Sequence, residues 1–176
     1  MMRFSSTLKF AALAGSLALA ACSSKPPPAP VDNGPPPAQQ EQSAPVQQSS
    51  IVPGSAEDLR VNVGDTVHFD YNEYAITEED KSVLQRQSAW LSKYPSVRVT
   101  VEGHCDERGT REYNLALGAR RANAVKEYLV SLGVASGRLE TISYGKERPM
   151  CTDSSESCYA QNRRGVTTIT SGGASS

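Results

Sequence analysis

Hydrophobic and polar residues are patterned differently in the two parts of this chain. From about residue 57 onward the pattern alternates between two periods. Residues 66–69 (TVHF) form a short apolar run that predicts a strand. Thr77 followed by Glu78, Glu79 and Asp80 resembles a helix N-terminus, with the Thr77 hydroxyl as cap and acids in the first turn. That helix is predicted to reach about Ser92, to bury Val83, Leu84, Trp90 and Leu91, and to stop at Pro95. Val97, Val99 and Val101 alternate with Arg98, Thr100 and Glu102, the period of a strand with one buried face. After a polar loop over residues 103–109, a second helix opens at Thr110 or Arg111 and reaches Leu132, with Gly133 as its C-cap. Leu117, Ala124, Val125, Tyr128 and Leu132 are expected to share its buried face. Strands follow at residues 138–144 and 164–170. The order is β-α-β-α-β-β, an α+β two-layer domain with a four-stranded sheet and both helices on one face.

The first 56 residues lack either period. Residues 1–21 read as a signal peptide, with Arg3 and Lys9 ahead of a short apolar stretch and small residues before a break. A helix of that stretch's length would cross only about half of a hydrocarbon core roughly 30 Å thick. The break reads Leu19-Ala20-Ala21-Cys22, which resembles a bacterial lipobox with Cys22 as the acylated first residue of the mature chain. Several acyl chains anchor stably where one holds only marginally. Ser23 after the cysteine points to the outer membrane. Residues 23–56 are Pro-, Gln- and Ser-rich. Of the 11 prolines in the 176-residue chain, nine lie at or before Pro53, so this segment is expected to be an extended, disordered tether. The predicted division is therefore 1–21 signal, 22–56 lipidated tether, 57–170 domain and 171–176 disordered tail.

The charge balance, 18 Lys+Arg against 19 Asp+Glu, argues against a nucleic-acid binder. Candidate chemistry concentrates in the loop Glu102 to Thr110, which joins a strand end to a helix start. On the helix, Asn114, Leu117 and Arg121 lie on one side, and Arg121 occupies a position where an apolar residue is expected. An arginine at the margin of a core needs a partner. Two readings stay open. Arg121 pairs with Asp106, or the two stand apart and hold a zwitterion with an ammonium beside a carboxylate, such as the end of diaminopimelate. His104-Cys105-Asp106 is a weak case for catalysis, because adjacent loop residues seldom converge. A zinc site from His104, Cys105, Cys151 and Cys158 has the wrong spacing.

Five ordered motifs carry a resemblance. Residues 67–72 read VHFDYN, 103–115 GHCDERGTREYNL, 117–125 LGARRANAV, 143–149 SYGKERP and 162–164 NRR. Together they resemble the OmpA-like domain family. The resemblance implies a mixed four-stranded sheet and non-covalent, non-enzymatic binding of peptidoglycan through the diaminopimelate of its stem peptide. It puts Asp106 on the ammonium, Arg121 on the carboxylate, and Phe69, Asp70, Asn114 and Leu117 around the pocket. With the lipobox and tether, it also implies a lipid-anchored periplasmic domain at the outer membrane, with a TolB-like periplasmic β-propeller as protein partner. No cofactor is implied. Residues 150–158 depart from many relatives. In an oxidising periplasm Cys151 and Cys158 could bridge, leaving Cys105 free; two unpaired thiols are the alternative.

Overall fold

The computed structural model describes residues 51–175. The signal segment, Cys22 and most of the expected tether lie outside the described residues. Four strands form one mixed sheet: β1 (Thr66–His68), β2 (Arg98–His104), β3 (Leu139–Gly145) and β4 (Arg164–Ser171), in the order β1-β4-β2-β3. β4 is antiparallel to both β1 and β2, and β2 is parallel to β3. The helix between β2 and β3 makes that parallel pairing possible, since a parallel neighbour needs a crossover.

The helices obey their local signals. A short turn, α1 (Ala56–Asp58), runs on into a π-helical turn at Leu59–Val63. Helix α2 (Glu78–Lys93) starts at Thr77, whose hydroxyl accepts from the Asp80 amide at 3.2 Å. Helix α3 (Arg111–Ser131) starts at Thr110, which accepts from the Tyr113 amide, and ends at Gly133 with φ 96°. Such a left-handed stop favours glycine. A fourth helix, α4 (Glu156–Asn162), is capped by Ser155 and was not expected from the pattern. Two turns are too short to establish an apolar period.

The core lies between the sheet and the helices and includes Leu59, Val67, Leu84, Leu91, Val99, Val101, Val125, Leu129 and Leu139. Trp90 is buried as expected, and its indole donates to Asp58 at 2.9 Å. Val83 is only half-buried at the edge of this cluster. The buried face of α3 is rotated from the expected one. Asn114, Leu117, Gly118, Arg121, Ala122, Val125 and Leu129 are buried, whereas Ala124, Tyr128 and Leu132 are half-exposed. The rotation is centred on Gly118, which meets Gly103 of β2 so closely that a Cβ on Gly103 would overlap the Gly118 carbonyl. Backbone meets backbone there, and the row of small residues turns toward the sheet.

Both expected domain edges shift outward. Residues 54 and 55, assigned to the tether, are packed: Ser55 caps α1, and the Gly54 amide donates to Asp58 at 2.8 Å. Residues 172 and 174, assigned to the tail, are held as well. Ser96 donates to the Gly172 carbonyl, and the Ala174 amide donates to the Gly54 carbonyl at 3.1 Å. Composition missed Gly54, Gly172 and Ala174 because they are held through their own backbone amides and carbonyls, whatever side chains hold them.

Candidate ligand-binding site

β2 ends at His104, and the chain turns through Gly109 (φ 90°) into the N-terminus of α3. Arg121, nearly three turns along α3, points back beneath this turn. It is 1% exposed, one of the largest fully buried side chains in the described structure. Its guanidinium donates to three backbone carbonyls: Nε to Glu73 at 2.8 Å, Nη1 to His104 at 2.8 Å and Nη2 to Asp70 at 3.0 Å. It thereby ties the loop after β1 to the end of β2. The Phe69 ring lies 5.1 Å from the guanidinium. Among the described residues, no carboxylate lies within 4.0 Å of Arg121. The simple Asp106–Arg121 ion pair is therefore not formed. Burial lowers the arginine's pKa, but the nearby Asp106 and Cys105 oppose the shift.

Asp106 faces other partners. Its Oδ1 accepts from the amide and Nε of Arg108, both at 3.1 Å, and its Oδ2 accepts from Arg108 Nη2 at 2.5 Å. Arg163 Nη1 stands 3.5 Å from Oδ2. Burial raises the Asp106 pKa; the hydrogen bonds from Arg108 and the charges of Arg108 and Arg163 outweigh it, so the carboxyl stays ionised below the usual carboxylate range. Arg108 is in turn sandwiched between Tyr71 and Tyr159, with ring centroids at 4.1 and 4.3 Å.

Asp106, Asn114, Leu117 and Arg121 line one cavity of about 60 Å³, together with Tyr71, Cys105 and Arg108. Asn114 is buried and donates to the Arg108 and Thr110 carbonyls, fixing the turn. Phe69 and the exposed Asp70 do not line that cavity. They line an adjoining groove of about 460 Å³ with His68, Glu79, Asp80 and Arg163. Sequence reasoning gave no role to Arg108, Arg163, Tyr71 or Tyr159. Arg108 and Arg163 stand inside the quoted motifs, yet only the fold shows that both reach Asp106.

Cys151 and Cys158 are joined by a disulfide, with Cα atoms 5.4 Å apart, so neither is available as a thiolate ligand. Cys105 is the free cysteine among the described residues. It is buried, burial raises its pKa, and its thiol lies 3.4 Å from the Asn114 carbonyl.

A family model described as the OmpA family matches residues 68–163. The chain belongs to the OmpA family. It is 49% identical over 162 residues to a peptidoglycan-associated lipoprotein of Mesorhizobium japonicum, covering 92% of this chain and 91% of that one. Over 120 residues it is 55% identical to a peptidoglycan-associated lipoprotein of Agrobacterium fabrum, covering 68% of each. The crystal structure of the peptidoglycan-associated lipoprotein from Burkholderia pseudomallei superposes with a TM-score of 0.58 at 39% identity, over 60% of this chain and 89% of that one.

Proposed function

We propose that this chain is a lipid-anchored protein of the outer membrane whose periplasmic domain binds peptidoglycan without chemistry. Cys22 carries the acyl chains, the following residues up to about 50 are the tether, and the domain grips the diaminopimelate of the stem peptide. Asp106 receives the ammonium, Arg121 the neighbouring carboxylate, and Asn114 and Leu117 line the pocket. Phe69 supports Arg121, and Asp70 borders the site through the adjoining groove. With a TolB-like β-propeller as partner, the protein serves the Tol–Pal system, linking outer membrane to wall and supporting constriction at division.

The observation that carries this reading is the buried Arg121, held by carbonyls alone, on the same cavity as Asp106. Neutral carbonyls orient a guanidinium without cancelling its charge. A ligand carboxylate would complete the pairing. The reading is supported by the relatives, whose name states association with peptidoglycan.

The test is co-sedimentation of the detergent-solubilised full chain with diaminopimelate-type sacculi. Wild type is expected to pellet. Asp106→Asn and Arg121→Lys are expected to stay in the supernatant while keeping the wild-type circular dichroism spectrum. Equal pelleting of all three would refute the zwitterion clamp.

A further inference from the structure

Most acceptor positions of Asp106 are already taken. A carboxylate offers about four lone-pair sites. Arg108 fills three through its amide, Nε and Nη2, while Arg163 Nη1 stands 3.5 Å from Oδ2 and donates instead to Glu156. An incoming ammonium therefore competes chiefly with Arg108. The cavity is also small, at about 60 Å³.

The two arginines differ in how easily they could move. The Arg163 side chain is 8% exposed and is bound to the Phe69 carbonyl at 2.9 Å and to Glu156 at 2.8 Å. The Arg108 side chain is 31% exposed and lies on the surface between two tyrosines. Glu156 Oε2, at 3.5 Å from Arg108 Nη1, stands ready to receive the guanidinium if it leaves Asp106.

We infer that Arg108 is an internal competitor for the ligand: its guanidinium occupies Asp106 in the free protein, and binding exchanges that cation for the ligand's ammonium. This rests on the proposed role of Asp106. It makes Arg108 a specificity-determining residue. A ligand with a carboxylate but no cation can satisfy Arg121, yet it cannot compensate Asp106 for the loss of Arg108, so it is excluded.

Two of the residues around Arg108 lie on α4, which begins inside the stretch 150–158 that departs from the family pattern. Tyr159 and Glu156 lie on α4, which the Cys151–Cys158 disulfide ties to the preceding loop. The Tyr159 hydroxyl donates to Glu107 at 2.8 Å, and Ser154 donates to the same carboxylate, pinning α4 to the loop that carries Arg108. α4 thus sets how firmly the competitor is held.

The experiment compares wild type, Asp106→Asn, Arg108→Gln and Tyr159→Leu as detergent-solubilised full chains on diaminopimelate-type sacculi. Asp106→Asn is expected to lose binding. Arg108→Gln is expected to bind on the order of tenfold tighter, equivalent to about 1.4 kcal/mol. Tyr159→Leu, which strips one face from the guanidinium, should move the same way by less and stands in if Arg108→Gln misfolds. A second readout follows the Arg108 Nε–H signal by NMR while diaminopimelate is added. Its hydrogen-bonded shift should vanish at saturation, which a purely structural arginine would not show. Weaker or unchanged binding of Arg108→Gln, with Asp106→Asn still inactive, would overturn the exchange and leave the Asp106 assignment standing. Wild-type binding by Asp106→Asn would overturn both.

Discussion

Acidification of this domain charges a buried imidazole that makes no hydrogen bond. His104 is 2% exposed, and neither ring nitrogen has a hydrogen-bond partner among the described residues. Burial, followed by the charge of Arg164, lowers its pKa from 6.5 to about 4. The unfolded chain therefore takes up the proton first. Stability from this group is complete above about pH 6.5 and is lost as pH falls toward 4. A gap of about 2.5 units at roughly 1.36 kcal/mol per unit gives a loss of about 3 kcal/mol. Glu102, whose carboxylate is 3.5 Å from Nε2, recovers part of it once the ring is charged. The assay is urea unfolding followed by circular dichroism at pH 7, 5.5 and 4, on wild type and His104→Phe. The variant keeps an aromatic ring beside Tyr144 and removes the titration. Wild type should lose about 2–3 kcal/mol more than the variant between pH 7 and 4. Parallel curves would refute this account of His104.

Four further outcomes follow from the packing and the disulfide. Gly103→Ala, which forces a methyl into the Gly118 carbonyl, should cost at least about 3 kcal/mol or prevent folding, read as soluble yield and thermal midpoint. Asp58→Ala strands donors at Gly54, Asn62 and Trp90 and should cost about 3 kcal/mol, with the unfolding visible in the emission of the single tryptophan. Reducing the Cys151–Cys158 bridge, which closes a loop with a sequence separation of 7, should lower stability by about 2 kcal/mol in chemical denaturation. Alkylation of unreduced, denatured protein lacking residues 1–22 should label Cys105 alone.

The four strands and the two long helices were legible in the sequence because local rules govern them. The valines of β2 alternate in isolation, and Thr77 and Thr110 cap their helices with their own hydroxyls. The rotated face of α3 was not legible. It depends on Gly118 meeting Gly103 from a different element, and a helical period cannot register a contact with a strand. The site divided along the same line. Arg121 announced itself as a charge in an apolar row, and Asp106 as the acid in a polar loop. What each one touches was hidden. Three carbonyls from two segments hold Arg121, and Asp106 is held partly by Arg163, 57 positions away. Backbone acceptors carry no residue type, so no pattern of side chains predicts them.

The bond between Ala174 and Gly54 gains a mechanical meaning under the proposed function, in which the chain is held ahead of the domain and at the site. Tension from the N-terminal side would then reach Gly54, beside the point where β4 runs out. β4 lies between β1 and β2, and the antiparallel register puts Ser171 opposite Arg98, at the start of β2. The site lies at the far end of β2, where Arg121 grips the His104 carbonyl. On the proposed function, the membrane-side and wall-side attachments therefore sit at opposite ends of the central strands, and a pull between them would run along those strands.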